Sequence, residues 1–209
     1  MYKLALIIAF FLAPFIMKSQ TDYSPGFEAG SPQQMNELLF LKGKWEIALK
    51  WTNDVTQPKE KWIPAGNSKS EFLDFYKGTF IHEKSLGFPL AGEGHESFTH
   101  WSYNSIFSYD RFNKTYRYVA FDNIMGLADI YEGDFIEEKL ILTNAKTTTY
   151  NNKGTDGCNQ KNRLTLTPIS EHHFEITWES IDESNLNMKD IHGSDWNFVI
   201  HMTYKREGK

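Results

Sequence analysis

Between Lys44 and Trp51 the chain alternates: Trp45, Ile47, Leu49 and Trp51 are apolar, and Lys44, Glu46, Ala48 and Lys50 stand between them. A period of two is what a strand with one buried and one wet face requires. The pattern returns near the C-terminus, where Phe174, Ile176 and Trp178 oppose His173, Glu175, Thr177 and Glu179. It is equally clear in a last strand, where Trp196, Phe198, Ile200, Met202 and Tyr204 oppose Asn197, Val199, His201, Thr203 and Lys205. Less regular strands are expected over Lys69 to Tyr76, Thr79 to Ser85, Ser97 to Tyr109, Thr115 to Asp122, Gly126 to Gly133, Lys139 to Tyr150 and Asn159 to Thr167, which makes about ten in all. Ahead of them, Ser31, Pro32 and Gln34 form a helix start, with Ser31 as N-cap and Gln34 closing a capping box. Met35, Leu38 and Leu39 fall on one face, and Gly43 ends the turn, so one short amphipathic helix is expected over Pro32 to Leu41.

Strands punctuated by turn residues, without helices between them, predict an all-β, antiparallel up-and-down barrel, because closure removes the exposed edges of such a sheet. A two-layer sandwich is the alternative that periodicity does not separate. In an up-and-down barrel, successive links alternate between the two ends. The links at Lys77-Gly78, Asp110 to Lys114, Asp134 to Glu138 and Pro168 to His172 are short and share one rim. Those at Thr52 to Asn67, Leu86 to Glu96 and Ile181 to Asp195 are long and share the other. The helix enters at the tight end, where its apolar face plugs the barrel, and the elaborate end becomes the candidate mouth.

Composition sharpens this picture. Met1 and Lys3 followed by the apolar run from Leu4 to Met17 read as a secretory signal peptide over 1–19, with 20–30 as a linker and 31–209 as the barrel domain. The run is too short to span a membrane, so no transmembrane anchor and a periplasmic or extracellular location are expected. Loss of Lys3 and Lys18 lowers the basic count from 22 to 20 against 27 acidic residues. A chain so acidic, with no basic cluster, is a poor partner for nucleic acid. Cys158 stands alone, so no internal disulfide is available to the fold.

The tryptophans divide by rim. Trp51, Trp62, Trp101, Trp178 and Trp196 fall toward the mouth, and Trp45 alone falls toward the closed end. Large amphipathic rings suit a ligand pocket, although they also fill small barrels and pack loops. His82 with Glu83, and His100 beside Trp101, are mid-strand candidates for a polar group inside the cavity, where an imidazole would orient a ligand, coordinate haem iron or act as a general base. The run His95 to His100 fails the zinc-protease spacing, which needs its two His four apart on a helix. His95, His192, Glu93, Asp190 and Asp195 share the mouth rim, but polar loop residues are abundant there, and no metal or other cofactor is expected. No nucleophile elbow or phosphate-cradling glycine loop occurs in the sequence.

The segments LLFLKGKWEI from Leu38, GTFIHE from Gly78, SYDRFNKTYRYVAFD from Ser108, GLADIYEG from Gly126 and VIHMTYKRE from Val199 resemble the bacterial family catalogued as domain of unknown function 1579. Gly43-x-Trp45 is also similar to the entry signature of lipocalins, in which the Trp closes the barrel floor. The resemblance implies a calycin-type barrel and brings no assigned activity or catalytic residue. The expected function is therefore the binding of a small apolar or amphipathic ligand by Trp51, Trp101, Tyr103, Trp178, Trp196, Phe198, His82 and His100. The alternatives are an enzyme using His82 or His100 as acid or base, and a structural or interaction protein with a filled barrel.

Overall fold

The structure is a computed structural model, and it describes residues 30–52, 57–88, 102–123, 128–144, 148–150, 158–182 and 198–208. The strands are β1 (Gly43–Thr52), β2 (Ile63–Phe75), β3 (Phe80–Ser85), β4 (Tyr103–Asp110), β5 (Thr115–Asp122), β6 (Ala128–Ile136), β7 (Lys139–Asn144), β8 (Thr148–Tyr150), β9 (Cys158–Ser170), β10 (His173–Asp182) and β11 (Phe198–Arg206). Every pairing is antiparallel, and β9 with β10 closes the ring. The expected barrel is present, and the sandwich is excluded. The expected strand over Lys139 to Tyr150 is divided: β7 meets Arg163 to Leu166 of β9, and β8 meets Cys158 to Gln160 of the same strand. The two pieces share one position, so the barrel has ten strands.

Links at one end are two to four residues long, at 76–79, 111–114, 137–138 and 171–172. Those at the other end span 53–62, 86–102, 123–127 and 183–197. The tight turns have identifiable causes. Asp110 accepts the backbone N–H groups of Phe112 (2.9 Å) and Asn113 (3.1 Å), an Asx turn that lets Lys114 take φ 54°. Glu137 and Glu138, at φ 48° and 65°, join Ile136 to Lys139 in a two-residue hairpin that ordinarily favours Asn-Gly.

The closed end is built around Trp45. Its indole N–H donates to the Leu41 carbonyl (2.6 Å), and its ring meets Phe174 edge-on at 4.7 Å. Phe174 stacks on Tyr204 at 4.3 Å, and Phe72 meets both edge-on. Met35, Leu38 and Leu41 enter the same core from below. Their segment is a 3-10 helix, Gln33–Leu41, and not the capped α-helix expected from Ser31. Three residues per turn bring Met35, Leu38 and Leu41 onto one line, so the plug follows that spacing. Ser31 Oγ is drawn instead to the Gly78 carbonyl (2.6 Å), which ties the helix entry to the β2–β3 turn.

Arg206 fastens this end from outside. Its guanidinium lies 4.3 Å from the Trp45 ring and donates to the carbonyls of Phe40 (2.8 Å), Lys42 (2.9 Å) and Glu171 (3.1 Å). Gly43 makes room for it: a Cβ there would stand 2.7 Å from Arg206 Nη1, and φ is +123°.

Strand β2 begins at Ile63, six residues before the expected start, because a bulge opposite Leu49 and Lys50 shifts its parity. Ala65 is the extra residue of the bulge and is buried, and Ser70 and Phe72 are buried after it. Gly66, at φ 110°, accommodates the extra residue. Trp62, expected near the mouth, packs outside the barrel. It is buried edge-on to His201 at 6.2 Å, and burial holds that imidazole below its ordinary range.

Candidate ligand site within the barrel

Strand β3 carries two polar sets. Ile81, Glu83 and Ser85 are buried, whereas Phe80 and Lys84 are exposed and His82 is half-buried. His82 is therefore on the outer face, where Nε2 is 3.2 Å from Asn104 Oδ1 and the ring meets Phe75 at 5.8 Å. The inward polar group is the carboxyl beside it. This removes His82 from the interior, where the alternative reading as an enzyme placed it as acid or base.

Glu83 sits wholly inside the barrel in a cage of hydroxyls. Oε1 accepts from Ser70 Oγ (2.9 Å), the Tyr103 hydroxyl (3.0 Å) and the Tyr204 hydroxyl (3.0 Å), and Oε2 accepts from Ser105 Oγ (2.8 Å). The two phenol oxygens are 2.5 Å apart. Met202 Sδ lies 3.8 Å from the Tyr103 hydroxyl and 3.7 Å from that of Tyr204. Four strands supply this cage, each by the alternation that puts Phe72, Ile81, Phe107 and Tyr204 inside. Burial raises the Glu83 carboxyl above the ordinary 4.5, opposed by its hydroxyl donors. Burial and the facing carboxyl hold the Tyr103 and Tyr204 phenols well above 10.0. Among the described residues, no cation is paired with Glu83.

Around the cage and toward the mouth, the lining is aromatic. Phe88 stacks parallel to Tyr103 at 6.4 Å, Tyr118 meets Phe107 at 4.7 Å and Tyr131 at 5.7 Å, and the Trp178 indole N–H donates to the Tyr131 hydroxyl (2.9 Å). Trp51 and Trp178 are part-buried against the core. Met35, Leu38, Leu41, Phe174 and Tyr204 are wholly buried and seal the floor. Leu49, Ala65, Tyr103, Tyr118 and Met202 keep a little exposure, whereas Phe88, stacked on Tyr103, is wholly buried.

Of the expected site residues, Trp51, Tyr103 and Trp178 are on the inward side of the mouth half. Trp101, Trp196 and His100 lie outside the described residues, as does the side chain of Phe198, whose backbone begins β11. The rim group His95, His192, Glu93, Asp190 and Asp195, and the signal-peptide segment 1–19, also lie outside them, as does the linker except for Gly30. Ser70, Ser105, Tyr118, Tyr131 and Tyr204 were not singled out from the sequence. The available signal was parity with a bulky apolar neighbour: Glu83 shares its face with Ile81, and Ser70 shares its face with Phe72.

No family model matches the chain, and no curated protein does either. Among solved structures, EF1p2_mFAP2b bound to DFHBI is similar at 9 % identity, over 83 % of this chain and 98 % of that one, with a TM-score of 0.40. A redesigned β-barrel, mFAP0, bound to DFHBI is similar at 10 % identity, over 80 % and 99 %, with a TM-score of 0.37.

Proposed function

We propose that this chain is an exported carrier that holds a small apolar or amphipathic molecule in the mouth half of its barrel, and that it belongs with the bacterial barrels of domain of unknown function 1579. The observation that carries the carrier reading is the division of the interior. A floor sealed by Trp45, the entry helix and Arg206 gives way to an aromatic lining of Phe88, Tyr103, Tyr118, Tyr131 and Trp178 around the inward Glu83 carboxyl. Apolar walls with a few convergent polar groups are the usual make-up of a small-molecule site. The apolar leader, with Lys3 ahead of it, supports export, and the LLFLKGKWEI and VIHMTYKRE segments support the family.

Purified protein incubated with a lipid and metabolite extract is expected to retain a discrete set of small molecules by mass spectrometry. Those molecules should quench the emission of Trp51 and Trp178. Replacement of Tyr131 by Trp, which narrows the lining beside Trp178, is expected to weaken retention at least several-fold. Protein that retains nothing and shows no quenching refutes the carrier reading.

A further inference from the structure

We infer that the Glu83 cage is the recognition point for a protonated amine carried on an apolar or aromatic body. The inference rests on the carrier reading above and names the chemistry of its ligand.

Glu83 Oε1, the Tyr103 hydroxyl and the Tyr204 hydroxyl form a closed triangle with sides of 3.0, 3.0 and 2.5 Å. Each phenol brings one proton, so an ionised carboxylate leaves one side of the triangle with two facing oxygens and nothing between them. A proton on Oε1, with one phenol turned to donate to the other, gives every side of the triangle its proton. The geometry as it stands therefore fits the neutral acid, in keeping with the upward push of burial and the lack of a paired cation among the described residues.

A buried acid of this kind lacks only a cation to become a strong anchor. An alkylammonium group brings three N–H donors and a positive charge, and it replaces the acid proton both as donor and as charge. The proton leaves to solvent, so one cation is exchanged for another and the interior stays neutral. The approach is from the mouth side, because Tyr103 and Met202 lie one inward position nearer the mouth than Ser105 and Tyr204 on their strands. Met202 is the group that must give way, and an unbranched thioether does so readily. The faces of Tyr103, Phe88 and Tyr118 then stand near the entering charge, and aromatic faces attract a desolvated ammonium. The barrel disfavours the opposite sign, since a ligand carboxylate would be buried with no cation beside it among the described residues. Among the described residues, the titratable groups that face the cage are Glu83 from β3, Tyr103 from β4, Tyr118 from β5 and Tyr204 from β11; β2 contributes Ser70.

The test uses three probes of one shape, phenethylamine, 2-phenylethanol and 3-phenylpropionate, titrated calorimetrically into the full barrel in buffers of different protonation enthalpy. The amine is expected to bind at least about tenfold tighter than the alcohol, and the carboxylate not to bind. Amine binding should release a proton to the buffer, and its affinity should rise by about tenfold per pH unit until Glu83 is ionised. Glu83→Gln keeps the shape and, with Ser105 Oγ turned to accept from the amide, a partner for each polar atom, so it should lose the preference for the amine over the alcohol. Equal binding of alcohol and amine by the native barrel, amine binding without proton release, or a preference that survives in Glu83→Gln overturns the inference and leaves the carrier reading intact. Failure of all three probes together with an empty extract experiment overturns both. The native-barrel measurements decide the matter even if Glu83→Gln does not fold.

Discussion

Replacement of Arg206 by Met removes the group that ties together three separated pieces of chain. The guanidinium donates to Phe40, Lys42 and Glu171 and lies against Trp45, so the entry helix, the start of β1 and the β9–β10 turn all depend on one side chain at the end of β11. A hydrogen bond from a charged donor contributes about 1.5–3 kcal/mol when buried, and the partial exposure here reduces that by roughly half. Three carbonyls at that discounted value, with about 0.5–1 kcal/mol for the cation over the ring, place the loss at about 3–5 kcal/mol. For a domain of this size each kcal/mol moves the melting temperature by about 2–4 °C, so a fall of roughly 6–20 °C is expected by scanning calorimetry. Arg206→Lys should fall between, because an ammonium reaches fewer of the three carbonyls. All the acceptors are uncharged, so the loss should be nearly the same at about 0.05 M and 1 M salt, where a surface ion pair would be screened away. A melting point within about 1 °C of the native protein, or a loss that vanishes in salt, refutes this account of the floor.

Three further outcomes follow from the same geometry. Because the folded Glu83 carboxyl is raised above its ordinary 4.5, its contribution is fully present below that value and is lost as pH rises through the raised value. Urea unfolding should therefore show the native protein losing stability relative to Glu83→Gln above about pH 4.5, by at most about 1.4 kcal/mol per pH unit, and parallel curves would refute it. Glu137→Asn with Glu138→Gly places the preferred pair in the β6–β7 hairpin and should raise stability by about 1–2 kcal/mol in a denaturant titration; no gain would mean the turn is unstrained. Gly133→Ala would set a Cβ 1.9 Å from the Ile141 carbonyl oxygen, and a loss of about 2–4 kcal/mol by thermal melting is expected, with near-native stability as the contrary result.

How far the sequence could be read depended on whether one parity persisted. In β1, β10 and β11 the bulky residues hold one phase from end to end, and the inward faces of Trp45, Ile176 and Tyr204 follow directly. In β2 the bulge at Gly66 changes phase in mid-strand, and alternation counted across it cancels. The entry helix was visible as an apolar stripe, but its 3-10 geometry was not, because Ser31 is satisfied by Gly78, which is 47 residues away in sequence. The site was legible in its aromatic part and hidden in its polar part. Trp51, Tyr103 and Trp178 announce themselves by size, whereas the His82-Glu83 pair shows a polar group in mid-strand without showing which of the two turns inward until the strands are paired and Ser70, Ser105, Tyr103 and Tyr204 are seen to converge on Glu83.

The division of the interior also explains how such a cage persists. A buried carboxyl with no cation beside it among the described residues is unfavourable, and β3 holds it because the strands around it are also fixed by contacts that do not involve it. Those contacts lie below. The Trp45, Phe72, Phe174 and Tyr204 rings pack edge to face and face to face, and the helix residues Met35, Leu38 and Leu41 fill the space beneath them. Tyr204 belongs to both halves, with its ring stacked on Phe174 and its hydroxyl on Glu83. The floor therefore positions the phenol that positions the carboxyl. Substitutions above Tyr103 are free to change what the barrel holds, whereas those at Tyr204 or Phe174 must change stability and recognition together.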